Sequence, residues 1–315
     1  MTRVAAVDCG TNSIRLLVAD IDPRAGSLVD VDRRMEVVRL GEGVDRTGRL
    51  APAALTRTFA ACDTYAAVIR DTGAERVRFV ATSASRDVEN RDEFVAGVRE
   101  RFGVEPEVVT GDEEAALSFA GATRELAAPD LARPFLVLDI GGGSTELVLG
   151  GTSVEAARSV DIGCVRLTER HLHDDPPTAD QVAAARSDIE AAISLAGQRV
   201  PLDRSATLVG LAGSVTTVAA MVLDLPAYDS DVIHHALLPA SDVHRVTATL
   251  LAMTHPQRAA MPFMHPGRVD VIGAGALVLS AVMERLGADS VVVSEHDILD
   301  GIAWSMAVSR VRPAR

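Results

Sequence analysis

Two short stretches of the chain repeat one arrangement of acid, glycine and hydroxyl. Residues 4–18 read VAAVDCGTNSIRLLV and residues 135–149 read FLVLDIGGGSTELVL. Each has four apolar residues, then Asp-x-Gly-x-x-Ser, then one residue, a charge and three more apolar residues. Asp8, Gly10, Ser13 and Arg15 thus correspond to Asp139, Gly141, Ser144 and Glu146. Glycine lets a backbone turn with positive φ and lets a ligand come close. Successive N–H groups in such a turn form a concavity that suits an anion. An aspartate at the strand end can place its carboxylate beside a phosphate-bound Mg²⁺. Gly10, Thr11, Asn12 and Ser13 form one candidate phosphate turn, with Asp8 and Arg15 beside it. Gly141, Gly142, Gly143 and Ser144 form the other. One such motif would pass for an ordinary turn. Two copies, each between apolar strands, imply related domains whose turns face one cleft, a preferred place for a ligand. A third stretch, LVGLAGSVTT (208–217), offers Gly213-Ser214 after an apolar strand. It reads equally as a phosphate contact and as a close-packed strand-to-helix turn.

Residues 108–116 read VVTGDEEAA. Thr110 and Glu113 have the spacing of a capping box, so Glu113 is expected to fold back on the N-cap amide. Glu114 lies about 100° further round the helix, in a first turn whose dipole favours the ionised form. It is a candidate general base for a water or a solvated first-turn acid, and spacing alone leaves both open. Upstream, VRFVATSASR (77–86) reads as a strand ending at Thr82-Ser83. Arg86 follows as a bidentate phosphate ligand or a surface charge. Asn90 and Glu93 give a second capping signal.

Composition limits the chemistry further. The chain has 315 residues and a net charge of −13, and all 31 basic side chains are Arg. A chain without Lys cannot be a Walker-type NTPase or use Schiff-base chemistry. Its acidity argues against nucleic acid as a partner. Any phosphate must be held by backbone N–H groups, Arg, hydroxyls or a metal. Cys9, Cys62 and Cys164 show neither zinc spacing nor a disulfide framework. The N-terminus has no signal-peptide pattern. The longest uncharged stretch, 205–223, contains Gly and hydroxyl residues and reads as strand, turn and helix. The expectation is a cytoplasmic protein without a membrane partner. A homodimer is the default assembly.

These residues need a frame that presents turns at strand ends. Val4–Val7 and Phe135–Leu138 read as buried strands, and Ala53–Arg70 and Gln181–Ala196 as helices. Pro176–Pro177 breaks the chain before a helix starting near Thr178. Alternating strands and helices predict an α/β fold with largely parallel sheets. The domains are expected at 1–125 and 126–315, divided near Arg124–Pro134, with a C-terminal helix over about 300–315 as a candidate to complete the first.

The paired turns resemble those of the actin-like, sugar kinase and heat-shock ATPase superfamily. A longer set of motifs resembles the exopolyphosphatase and guanosine pentaphosphate phosphohydrolase (Ppx/GppA) family. The set is DCGTNSIRLLV, VRLGEGVDRTGRL (38–50), TSASRDVENRDEF (82–94), TGDEEAALSFAG (110–121), LDIGGGSTELVLG (138–150), DIGCVRLTE (161–169), GLAGSVTT (210–217) and RVDVIGAGALVL (268–279). The match runs in order through nearly the whole chain and is nearest to short, two-domain actinobacterial-type members. The resemblance implies duplicated actin-like, ribonuclease H-like domains flanking a phosphate-binding cleft. It implies hydrolysis of a terminal phosphoanhydride with Mg²⁺ or another divalent cation. The substrate would be inorganic polyphosphate, short chains favoured, or alternatively guanosine pentaphosphate. It also implies roles: Glu114 as the base that activates water, Arg86 as its partner in catalysis, Asp139 and Glu146 at the metal, and the glycine turns on phosphates. More distant alternatives are an actin-fold kinase and a nucleotide-sensing protein without turnover. One stretch departs from the family's Ser-Asp-x-Gly-x-Arg-x-Gly pattern: VSEHDILDGIA (293–303) has Asp297 for the Gly and Leu299 for the Arg. That bears on chain-length or nucleotide preference more than on the chemistry.

Overall fold

Strand-forming runs bounded by glycine turns, with Ala-rich helices between them, build two units. The computed structural model describes residues 1–86, 88–124, 126 and 131–308. One unit comprises Met1–Gly121 together with the chain from Ile298, and the other Ala122–Asp297. Glu125, residues 127–130 and residues 309–315 lie outside the described residues, and with them part of the expected boundary and the end of the expected C-terminal helix.

The first unit begins with β1 (Thr2–Cys9), β2 (Ser13–Asp22) and β3 (Ser27–Val37), followed by α1 (Val44–Thr47) and α2 (Pro52–Thr72). It continues through β4 (Arg76–Ala81), α3 (Ser83–Arg86), α4 (Arg91–Phe102), β5 (Glu107–Val108) and α5 (Gly111–Thr123). The second contains β6 (Phe135–Ile140), β7 (Thr145–Gly150), β8 (Val154–Val160), α6 (Cys164–His171), α7 (Ala179–Gly197), β9 (Thr207–Leu211) and α8 (Ala212–Val222). It ends with α9 (Ser230–Ile233), β10 (Leu237–Pro239), α10 (Ala240–Ala252), α11 (His255–Ala259), α12 (Ile272–Leu286) and β11 (Ser290–Val293). The helix α13 (Ile298–Val308) belongs to the first unit.

The sheets have the orders β3-β2-β1-β4-β5 and β10-β11-β9-β6-β7-β8. In the first, β1, β2 and β3 run antiparallel while β4 and β5 continue parallel to β1. In the second, β6, β7 and β8 run antiparallel while β9 and β11 continue parallel to β6. The two units thus repeat one α/β core, a duplicated antiparallel meander continued by parallel strands. The expectation of largely parallel sheets is corrected: both sheets are mixed. The repeated tight turn reverses the chain, so each copy must make an antiparallel pair.

Side-chain alternation assigns the two faces of the first sheet. Ala5, Val7 and Cys9 join Tyr65, Phe79 and Phe94 in one core. Val4 and Ala6 point the other way, into a core completed by Ile302 and Trp304 of α13. α2 starts with Pro52 in its first turn and ends at Gly73 (φ 71°), the usual division of labour between these residues. Tyr65 of α2 is fully buried, and its hydroxyl donates to the Ile14 carbonyl at 3.0 Å. This bond ties the helix to the start of β2, directly after the first glycine turn. In the second unit α12 is buried from Ile272 to Met283. Gly275 is needed there: a Cβ on it would lie 2.2 Å from Ser214 Oγ. Among the described residues no helix is long and apolar enough to cross a membrane.

Candidate active site

In the first unit the parallel strands β1, β4 and β5 end side by side, with Cys9 opposite Ala81 and Ala81 opposite Val108. Their carboxyl ends therefore present three features together: the turn after β1, α3 after β4, and the first turn of α5 after β5. Open α/β sheets bind ligands at such edges. Gly10 N–H donates to the Ser13 carbonyl at 2.9 Å, which closes the turn. The Asn12 carbonyl accepts from Val38 and Arg39, and the Thr11 carbonyl accepts from Gly41. A Cβ on Gly41 would lie 2.3 Å from Thr11 Cγ2, so the 38–41 strap lies directly on the turn. Thr11 is 8% exposed, and its Oγ1 has no hydrogen-bond partner among the described residues. Buried hydroxyls are normally satisfied, so a ligand oxygen fits this donor. Across the ladder Asp8 faces Arg15, whose Nε and Nη2 reach Asp8 Oδ2 at 2.9 and 2.6 Å.

Glu114 is 8% exposed, and its Oε2 accepts from Arg86 Nη1. Arg86 is thus placed on the candidate base, and its guanidinium orients that carboxylate. The capping expectations are corrected here. Thr110 Oγ1 does accept from Glu113 N–H at 3.2 Å, but the Glu113 side chain turns to Arg78 instead of folding back. An available guanidinium outcompetes a backbone amide for a carboxylate. The Asn90 side chain likewise makes no cap; it bonds both the N–H and the carbonyl of Leu50.

The second unit repeats the turn with different neighbours. Gly141 N–H donates to the Ser144 carbonyl at 3.0 Å. Gly141, Gly142 and Gly143 are held from behind by the segment after β8: Cys164 N–H donates to the Gly141 carbonyl, and Arg166 Nε to the Gly143 carbonyl at 2.7 Å. A Cβ on Gly163 would lie 2.2 Å from the Gly142 carbonyl carbon. Ser144 is buried. Asp139 and Glu146 sit directly opposite one another on β6 and β7, 7% and 1% exposed, and Ser159 Oγ donates to Glu146 Oε1 at 2.7 Å. Like charges so placed repel. Mg²⁺ typically takes one or two carboxylates and completes its shell with water and substrate phosphate, so this donor pair fits it. Among the described residues no three His, Cys, Asp or Glu side chains form a metal-binding group.

The third stretch turns directly from strand to helix. Ala212 adopts a left-handed φ of 65° and α8 follows at once. Sequence reasoning missed its neighbour, Arg268. A Cβ on Gly213 would lie 2.5 Å from Arg268 Cζ, and Arg268 Nη1 donates to Thr217 Oγ1 at 3.2 Å. The signal was present in the RVDVIGAGALVL motif but not in any local spacing. Ser214 is 7% exposed. Of the departing segment, Asp297 and Leu299 are buried, and Leu299 joins the first unit's core. Asp300 accepts from Arg33 Nη2 at 2.6 Å. His234, missed as part of a group, stacks on His235 and has His296 tilted beside it; burial pushes it down to about 4. Burial also raises the thiols of Cys9 and Cys164, which keeps both un-ionised.

Residues 17–310 match the profile of the Ppx/GppA phosphatase family. Exopolyphosphatase 2 of Mycobacterium tuberculosis is 52% identical over 318 residues, covering 98% of this chain and 99% of that protein. The crystal structure of an exopolyphosphatase-like protein superposes with a TM-score of 0.93 at 43% identity, covering 97% of this chain and 98% of the other. A Ppx/GppA member from Aquifex aeolicus superposes with a TM-score of 0.80 at 29% identity, over 99% of both chains.

Proposed function

We propose, for a chain that belongs to the Ppx/GppA phosphatase family, that it removes the terminal phosphate of inorganic polyphosphate by hydrolysis, short chains being favoured. The observation that carries this reading is the buried Glu114 carboxylate, fixed by Arg86 at the first turn of α5. The resemblance to Exopolyphosphatase 2 through the whole chain supports the choice of substrate.

In this mechanism the Thr11 hydroxyl and the amides that follow Gly10 donate to phosphate oxygens, and the amides that follow Gly141 are suited to the same role in the second unit, the Gly10 and Gly141 N–H groups being used to close their turns. Glu114 accepts a proton from water as the water oxygen attacks the terminal phosphorus. The bond from phosphorus to the bridging oxygen breaks, and the shortened chain leaves as orthophosphate forms. Arg86 holds the Glu114 carboxylate in the orientation that accepts the proton. Its remaining N–H groups can stabilise charge on the transferring phosphoryl group. Asp139 and Glu146 would hold Mg²⁺, which supplies positive charge to offset the phosphate oxygens. Positioning and electrostatics do most of the work in such transfers. A chain whose basic side chains are all Arg can therefore serve a polyanion without a lysine.

A phosphate-release panel tests this reading, with short polyphosphate, long polyphosphate, guanosine pentaphosphate and ATP side by side in Mg²⁺. Release is expected to be fastest on short polyphosphate. Release from guanosine pentaphosphate alone would transfer the assignment to that substrate, and release from none of them would overturn it. Glu114→Gln should lose about 10²–10⁴ in rate, the scale of a positioned base, while still binding polyphosphate.

A further inference from the structure

We propose that Arg78 is a positioning residue for Glu114 and acts through the neighbouring Glu113. The proposal rests on Glu114 being the base. Arg78 leaves β4 at 17% side-chain exposure and joins three elements. Its Nη2 donates to Glu113 Oε1 of α5 at 3.0 Å and to Glu107 Oε2 of β5 at 2.6 Å. Its Nη1 donates to Ser305 Oγ of α13 at 2.7 Å. The Arg78 guanidinium is held firmly protonated, chiefly by its hydrogen bond to Glu107. From α13, Gly301 closes on the same helix: a Cβ there would lie 2.0 Å from the Leu117 carbonyl oxygen, one turn beyond Glu114. The first turn of α5 is thus gripped by Arg78, and the turn after it is seated on α13.

Two adjacent acids, Glu113 and Glu114, each have an arginine of their own, Arg78 and Arg86. Among the described residues, the charged groups linked to Glu114 include Arg86 of α3, which pairs with it, its chain neighbours Asp112 and Glu113, and, through Glu113, Arg78 of β4 and its partner Glu107 of β5. Removing Arg78 adds one uncompensated negative charge to this set and frees the turn. A nearby negative charge makes a carboxylate harder to ionise, so the base is expected to become active only at higher pH.

The test is the pH profile of kcat on short polyphosphate. Arg78→Gln should lower kcat about 3- to 10-fold, a modest fraction of what a misplaced catalytic group can cost, with KM nearly unchanged. Its acidic limb should move up by about half a pH unit, the scale for a solvent-screened charge one residue away. Adding Glu113→Gln should return the limb to its original position. Arg78→Lys should keep the limb in place while recovering only part of kcat, because it keeps the charge and loses the fork. Glu113→Gln alone should move the limb down, which serves as the readout if Arg78→Gln folds poorly. A fall in kcat with an unmoved limb, unrepaired by Glu113→Gln, would overturn the proposal and leave Arg78 a packing residue. Wild-type turnover in Glu114→Gln would instead remove the base itself, so the two failures are distinguishable.

Discussion

Asp8 and Asp139 occupy the same place in two copies of one turn, yet they meet opposite partners across the ladder. Asp8 faces Arg15 and is matched by it at 2.6 Å, while Asp139 faces Glu146. The backbone of the turn is common to both, down to the Gly N–H to Ser carbonyl bond. The change from Arg15 to Glu146 at corresponding places therefore sets opposite charges beside two turns that close in the same way. With its acid neutralised from within, the first turn can meet phosphate through amides and the Thr11 hydroxyl. With paired acids, the second is the proposed place for a divalent cation.

Glu146→Gln should break the contrast most severely. It leaves the fold in place and removes half of the proposed cation pair, so kcat should fall about 10²–10³-fold, the scale of lost metal-derived charge stabilisation. Steady-state kinetics with a Mg²⁺ series would show the loss. Gly163→Ala tests the support of the second turn: its Cβ would collide with the Gly142 backbone, which cannot yield as a side-chain end could. Activity should fall about tenfold or more, as small misplacements of catalytic groups do. Arg15→Gln sharpens the contrast from the other side. It strips a 4%-exposed Asp8 of its ion-pair partner. The cost should be about 1–3 kcal/mol in urea unfolding, below that of a fully buried pair because Arg15 is partly exposed. The smallest effect is expected from the cysteines. Their buried, un-ionised thiols should react slowly with iodoacetamide at neutral pH, and only after unfolding at full rate.

Much of this contrast was legible in the sequence because the repeat is local. A four-residue apolar run, a glycine turn and a β-hairpin fix the register, and the register places residue 8 opposite 15 and 139 opposite 146. The strand, turn and helix over 205–223 were legible for the same reason. What failed was competition between partners distant in sequence. Thr110-x-x-Glu113 has capping-box spacing, but nothing local reveals that Arg78 would take the Glu113 carboxylate. Arg86 read as a phosphate ligand or a surface charge, and nothing local revealed its additional ion pair with Glu114. Arg268 was invisible as a neighbour of Gly213 because the contact spans two elements far apart in the chain. The mixed sheets could have been anticipated, since the tight turns that revealed the repeat also demand antiparallel neighbours.

The most direct test of the central contrast is Mn²⁺ binding, followed by its electron paramagnetic resonance signal as a substitute for Mg²⁺. The wild type, Asp139→Asn and Asp8→Asn would be compared with orthophosphate present. Asp139→Asn should weaken Mn²⁺ binding at least about tenfold, the loss of one hard-oxygen ligand, while Asp8→Asn stays close to wild type. Equal weakening in both variants, or none in Asp139→Asn, would contradict that contrast.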